Sequence, residues 1–180
     1  MHRFVFGLGL AVVVAGAIAP AVAAPLPTSA RGMLALVTAT KQLKTDPSVP
    51  GSTKASPYVS IVGAPEGTNG GTIDAAFARR GALADGTHVL AIPLDSGGSG
   101  GVFVQILFAQ KGDSRPRFVG YLESGGGHLG VRIEKGAILA VFPDYGASDQ
   151  NCCPSHFVHQ TYTLARGRLQ LTATNRSTKP

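Results

Sequence analysis

Leu129-Gly-Val-Arg-Ile-Glu134, then Lys135-Gly136, then Ala137-Ile-Leu-Ala-Val-Phe142 reads as strand, turn and strand. Leu129, Val131 and Ile133 share one face of the first segment; Gly130, Arg132 and Glu134 share the other. That period of two is the pattern of a strand with one side in a core and one in water. Lys135-Gly136 is short enough to send the chain straight back alongside itself. The same grammar recurs on both sides of this hairpin, and it sets the fold class.

Upstream, residues 87–94 make a strand and residues 102–109 a nearly continuous apolar run, the signature of a central strand covered on both faces. Residues 117–123 follow a turn at Gly112-Asp113-Ser114. Downstream, residues 157–164 and 168–174 pair across Ala165-Arg166-Gly167. Residues 58–62 allow a first strand, and residues 72–83 fit either a strand or a helical turn. Short strands near ten residues apart, separated by glycine turns, predict a mainly β protein: an antiparallel sheet folded as a sandwich or roll. No strand–helix–strand alternation occurs, which argues against a parallel α/β sheet.

The N-terminal part is different. After Met1-His2-Arg3, residues 4–24 carry no polar side chain and end on the small residues Ala21-Val22-Ala23. A basic start, an apolar stretch and a small-residue exit describe a secretory signal peptide over residues 1–23. Gly7, Gly9, Gly16 and Pro20 make it a poor permanent membrane helix, and no later stretch is long and apolar enough to anchor the mature chain. Residues 24–57, rich in proline, serine and threonine, read as a tether. Within it Ser29 is placed to cap a short helix from 30 to about 44, with Met33, Leu36, Val37, Thr40 and Leu43 along one side; a plain flexible spacer is the competing expectation. Residues 58–180 then form a single β-rich domain.

The charge of the whole chain is +6, falling to +5 once Arg3 leaves with the signal peptide. Arg79-Arg80, Arg115 with Arg117, and Arg166 with Arg168 are scattered pairs, not a run. Without clustering or interleaved aromatic residues, nucleic-acid binding is not expected. No phosphate-cradling loop, calcium loop or zinc-protease motif is present. No cofactor is implied, and the partner is unknown.

Two stretches carry uncommon residues. Asp95-Ser-Gly-Gly-Ser-Gly-Gly101 formally contains G-x-S-x-G at Gly97, Gly98, Ser99, Gly100 and Gly101. That motif needs a helix directly after the serine, and a β-type run follows here instead. Gly97, Gly98, Ser99 and Gly100 therefore read as a structural loop between strands. The second stretch, Asp149-Gln-Asn-Cys-Cys-Pro-Ser-His156, holds both cysteines. Outside the cytoplasm they are expected to pair. Adjacent Cα atoms lie about 3.8 Å apart, short of the usual disulfide span of roughly 4.4–6.8 Å, so such a bond forces a tight loop. Pro154 stiffens it further. The primary expectation is an oxidised structural corner that docks the last hairpin.

The alternative is thiol redox chemistry at Cys152 and Cys153, or a Zn or Cu centre using Cys152, Cys153, His156 and His159. His156 and His159 are an odd number of residues apart on an expected strand, so they point to opposite faces, which disfavours a shared ion. Asp144, Asp149 and Glu123 form no recognisable carboxylate pair by spacing.

Three features resemble a group of uncharacterised exported bacterial proteins with a Cys-Cys-Pro-Ser/Thr motif, similar to the mycobacterial LppP/LprE-type lipoproteins. They are Gly97-Gly98-Ser99-Gly100 leading into Phe103, the block from Asp149 to Ser155, and Tyr162-Thr-Leu164 with Gly167 and Leu169. The resemblance spans about residues 85–171 and implies export and domain extent but no activity. The lipid-bearing cysteine of those lipoproteins has no counterpart at the signal-peptide junction. The resulting expectation is a secreted or periplasmic, non-enzymatic binding or cell-envelope module.

Overall fold

The structure is a computed structural model, and it describes residues 23–40, 73, 75–95, 102–124, 127–150 and 152–180. Among these described residues eight strands and one helix follow in order: α1 Ala30–Ala39, β1 Arg79–Ala82, β2 His88–Asp95, β3 Val102–Gln110, β4 Arg117–Glu123, β5 Gly130–Glu134, β6 Ala137–Asp144, β7 His156–Ala165 and β8 Arg168–Ser177. They form two four-stranded antiparallel meanders, β1-β2-β3-β4 and β5-β6-β7-β8. The architecture is mainly β and sandwich-like, as the spacing of strands and turns predicts. Residues 1–22 of the signal segment, the stretch at 58–62 and residues 41–57 of the proposed tether lie outside the described residues.

Two turns set the second sheet. Lys135 and Gly136 have φ of 51° and 77°, and Arg166 and Gly167 have φ of 50° and 76°. Positive φ at both central residues is the two-residue hairpin turn whose twist matches that of paired strands. It locks Glu134 opposite Ala137 and Ala165 opposite Arg168.

The first sheet is covered on both faces. Leu90, Ile92 and Leu94 of β2 and Val104, Ile106 and Phe108 of β3 pack with Met33 and Val37 of α1. Val89, Ala91, Leu107 and Ala109, their alternates, pack with Leu129, Val131, Ile138 and Ala140 of the second sheet. This three-layer stack explains why β3 reads as continuously apolar: both sides of its pleat are interior.

The helix is therefore not a spacer. Ser29 caps it, its Oγ accepting from the Gly32 N–H at 3.1 Å, and Met33 and Val37 are fully buried. It ends at Ala39, earlier than expected, with Thr40 extended at φ −77° and ψ 111°. Thr38 and Thr40 donate their hydroxyls back to the Leu34 and Leu36 carbonyls, the local competition that makes threonine a mediocre helix former. The segment before α1 is tied down as well. Gln110, 8% exposed, accepts from Leu26 N–H at 3.0 Å and donates to the Ala24 and Ser114 carbonyls. The start of the expected tether thus belongs to the β domain.

β4 departs from simple alternation. Leu107 pairs with Gly120 but Phe108 with Phe118, so Val119 is an extra residue in the ladder. This bulge puts Phe118 and Tyr121, three apart, against the helix-side core, while Val119 and Leu122 face the second sheet. Gly120, at φ 148°, lets Leu169 of β8 approach the bulge. At the other side of the sandwich, β1 meets β5. A Cβ on Gly81 would lie 2.5 Å from the Ile133 carbonyl oxygen, and the Ala84 N–H donates to the Gly136 carbonyl at 3.2 Å. The two edge strands run side by side there, touching at Gly81 with Ile133 and at Leu83 with Gly136.

Candidate functional site

The cysteine stretch connects β6 to β7. Cys152 and Cys153 are joined as a disulfide with Cα atoms 3.8 Å apart, and both residues are exposed. The bond sits on an open loop within one sheet, stiffening that connection from outside. Cys153 N–H donates to the Gln150 carbonyl at 2.9 Å, closing a turn around it. Pro154, half-buried, leads into Ser155 and β7.

Asp149 organises this loop. Its carboxylate accepts from the Gly146 N–H at 2.7 Å and the Ser155 N–H at 2.8 Å. Those bonds hold its pKa below the ordinary carboxylate range, the Ser155 N–H contributing most, then Gly146, with His156 adding attraction. A depressed folded pKa stabilises the loop at pH above the unfolded value and ceases to do so as pH falls through the folded one. Hydrogen exchange of the Ser155 and Gly146 amides is therefore expected to be slow near neutral pH and to lose protection below about pH 4, beyond the intrinsic pH trend of exchange. In Asp149→Asn this extra acid-induced loss should vanish. An unchanged profile in that variant would show that Asp149 does not hold the loop.

Ser155 Oγ lies 2.9 Å from His156 Nδ1, and the same serine side chain also bonds Asp149. The three residue types are those of a hydrolytic triad, but the order is wrong. A triad needs histidine in the middle, oriented by the acid and facing the hydroxyl. Here serine is in the middle, and among the described residues no carboxylate is hydrogen-bonded to the His156 ring. His159, three residues on, has its Nε2 2.9 Å from the Lys179 carbonyl oxygen. The metal reading required Cys152, Cys153, His156 and His159 together. Among the described residues no three His, Cys, Asp or Glu side chains gather to hold an ion, and the two sulfurs are bonded to each other. Gly97, Gly98, Ser99 and Gly100 lie outside the described residues.

A different place has the character of a binding site. Where the β1 and β5 edges part, beyond the Gly81–Ile133 contact, a pocket of about 400 Å³ opens between the sheets. Its apolar lining includes Leu129, just before β5, Val131 from the core side of β5, and Val141 and Phe157 from the outer face of the second sheet. Phe77, 46% exposed, stands in the loop before β1 and also lines it. Arg79 and Arg132 supply the cationic groups, His128 and Pro180 also line the pocket, and no carboxylate side chain is among the described lining residues.

At its inner side lies Gln105 of β3. It is 3% exposed, and its Oε1 is buried with no hydrogen-bond partner. An orphaned buried acceptor costs about 1–3 kcal/mol and is rare enough to need a reason. The topology exposes how it arises. β1 covers β2 only from His88 to Ala91, while Gln105 pairs with Pro93, two residues past the end of β1. Proline is tolerated there because, among the described residues, no strand pairs with β2 on that side past Ala91. The short β1 thus leaves the gap, and Gln105 is one of the residues that line it.

Gly130 completes the shape. A Cβ on it would meet only Val141 Cβ, at 3.8 Å, so the missing side chain leaves the groove open from the inner face of β5 to the outer. None of these residues is marked by a sequence motif. The one available signal was Gln105 itself, the single polar residue interrupting an apolar run.

Comparison with protein-family models, with curated proteins and with solved structures finds no match to this chain.

Proposed function

We propose that this chain is an exported binding module that takes a small, largely apolar molecule in the pocket between its two sheets. The observation that carries this reading is the buried, unpartnered Gln105 Oε1 in a cavity of about 400 Å³ lined chiefly by apolar side chains. That volume falls in the range of ordinary ligand sites, and a few polar groups on an apolar wall is their usual chemistry. Export follows from the N-terminal segment, and the paired cysteines accord with an oxidising compartment.

The neutral fluorophore N-phenyl-1-naphthylamine is the direct probe. It should brighten on binding to the wild-type chain, and Gly130→Leu should weaken that binding at least about tenfold by filling the groove. Gly130 lacks a positive φ and has open space around its Cβ, so the substitution is expected to leave the fold intact or to strengthen β5. Equal probe binding by both proteins would remove the pocket from consideration.

The exposure of Cys152 and Cys153 supports a second reading, thiol–disulfide exchange with a partner dithiol. Incubation with reduced dithiothreitol at graded potentials, followed by mass spectrometry of alkylated thiols, is its test. A redox role predicts reduction in the range of the exchange catalysts, about −120 to −270 mV. A structural bond predicts resistance to below about −300 mV.

A further inference from the structure

We infer that the ligand of the inter-sheet pocket is a small carboxylate with an apolar body and a hydrogen-bond donor at its inner end. The inference rests on the reading of that pocket as a binding site and adds the chemical class of its occupant.

Among the described residues the side-chain charge at the rim is positive, and no ion pair answers it. The side chain of Arg132, exposed on the outward face of β5, makes no side-chain hydrogen bond or ion pair among the described residues. Among the described residues the Arg79 side chain donates only to the Ala76 and Ala78 carbonyls, at 3.3 and 3.4 Å, and both are neutral acceptors. The two ion pairs among the described residues, Lys111 with Asp85 and Arg176 with Asp144, involve none of the lining residues. Arginine presents a planar fork that matches a carboxylate, and an exposed guanidinium without a partner keeps that capacity free. The two arginines reach the pocket from different sheets, which is what a site clamped from both sides needs.

The inner wall asks for the opposite polarity. Gln105 Oε1 is an acceptor, so the group that satisfies it must donate through N–H or O–H. A neutral hydrocarbon leaves this oxygen unpaired, and a carboxylate pushed inward faces it with a like dipole. The arginines are exposed while Gln105 is buried. The order along the ligand is therefore fixed: donor inside, apolar body against Leu129 and Phe157, anion outside.

Three small probes separate these elements on the full chain without its signal segment: 3-(4-hydroxyphenyl)propionate, 3-phenylpropionate and 4-propylphenol, each titrated by calorimetry or NMR. The hydroxyphenyl acid should bind at least about tenfold tighter than the neutral phenol, and Arg132→Gln should erase most of that margin. It should also bind several-fold tighter than the acid lacking the hydroxyl, and Gln105→Leu should remove that difference. The same Gln105→Leu variant should melt higher than wild type when empty, because an orphaned acceptor has been replaced by a hydrocarbon of similar size. A merely structural glutamine would give a lower melting temperature.

Equal affinity for the acid and the phenol would overturn the anionic assignment. A hydroxyl preference that survives Gln105→Leu would overturn the inner-donor assignment. If none of the three binds while N-phenyl-1-naphthylamine still does, the ligand class is wrong and the pocket reading stands. If the fluorophore also ignores Gly130→Leu, the pocket reading itself has failed.

Discussion

Gly81→Ala should destabilise the domain by about 1–3 kcal/mol, although it adds only one methyl group to a strand. The added carbon would sit 2.5 Å from the Ile133 carbonyl oxygen, 2.6 Å from Ile133 Cγ2 and 2.8 Å from its Cβ. A flexible side-chain tip can give way, but a main-chain oxygen cannot move without its strand. Ile133 is paired with Ile138 in the β5–β6 ladder, and the neighbouring Gly136 carbonyl accepts from Ala84. Relief must come from β1 and β5 separating, which opens the core formed by Leu83, Val131 and their neighbours. For a domain of this size each kcal/mol moves the melting temperature by about 2–4 °C. Calorimetry should therefore read a fall of several degrees, while Ala82→Val, at the next and exposed position, stays near wild type. Gly81→Val should exceed the alanine effect and approach the whole stability of a marginal domain, about 5–15 kcal/mol. Because Gly81 defines where the pocket ends, the alanine variant should also alter probe affinity. A Gly81→Ala protein as stable as wild type would mean that β1 and β5 do not approach this closely.

How much of this was legible in the sequence depends on whether the information was local. Strand and turn positions were local. The run at 129–142 displays its own period and turn, and β4 falls at residues 117–123 as expected. The continuous apolar character of β3 correctly implied burial on both faces, without saying what lay on each. What covered the far face was the helix at 30–39, where threonines at 38 and 40 and surrounding prolines weaken the local signal. Its place in the core comes from Met33 and Val37 packing across more than fifty residues of chain, a contact no local window contains. The bulge at Val119 was hidden for a related reason. Phe118 and Tyr121 look like opposite faces until the partner strand dictates the register.

The site was less legible still. Uncommon residues drew attention to Cys152 and Cys153, and their pairing was expected on the reading of the chain as exported, although adjacency leaves the bond a tight span. The pocket is assembled from Arg79, Gln105 and Arg132 on three separate strands, each unremarkable by itself. Its existence depends on β1 being four residues long, so that β2 runs on uncovered past Ala91. A cavity made by a strand that stops early leaves no motif behind.

Met33→Ala is the second large effect expected, and it decides where the domain begins. Met33 is fully buried against Leu90, Ile92, Ile106 and Phe108, which are themselves at most 1% exposed. Truncating such a side chain costs about 2–5 kcal/mol, because the lost burial is compounded by a cavity that the sheet cannot collapse to fill. If residues 24–57 were merely a tether, the same substitution would cost less than about 0.5 kcal/mol, as surface changes do. The two expectations are several-fold apart and need only a urea titration. Ala35→Asp, on the exposed side of the same helix, supplies the control: it changes local charge and helix propensity but touches no core residue, so its midpoint should stay within about 0.5 kcal/mol of wild type. A large loss for Met33→Ala beside a small one for Ala35→Asp would establish that α1 seals the first sheet and that the folded unit starts before residue 30. It would also imply that removing α1 uncovers an apolar face on β2 and β3, so a chain begun at residue 41 should aggregate instead of folding.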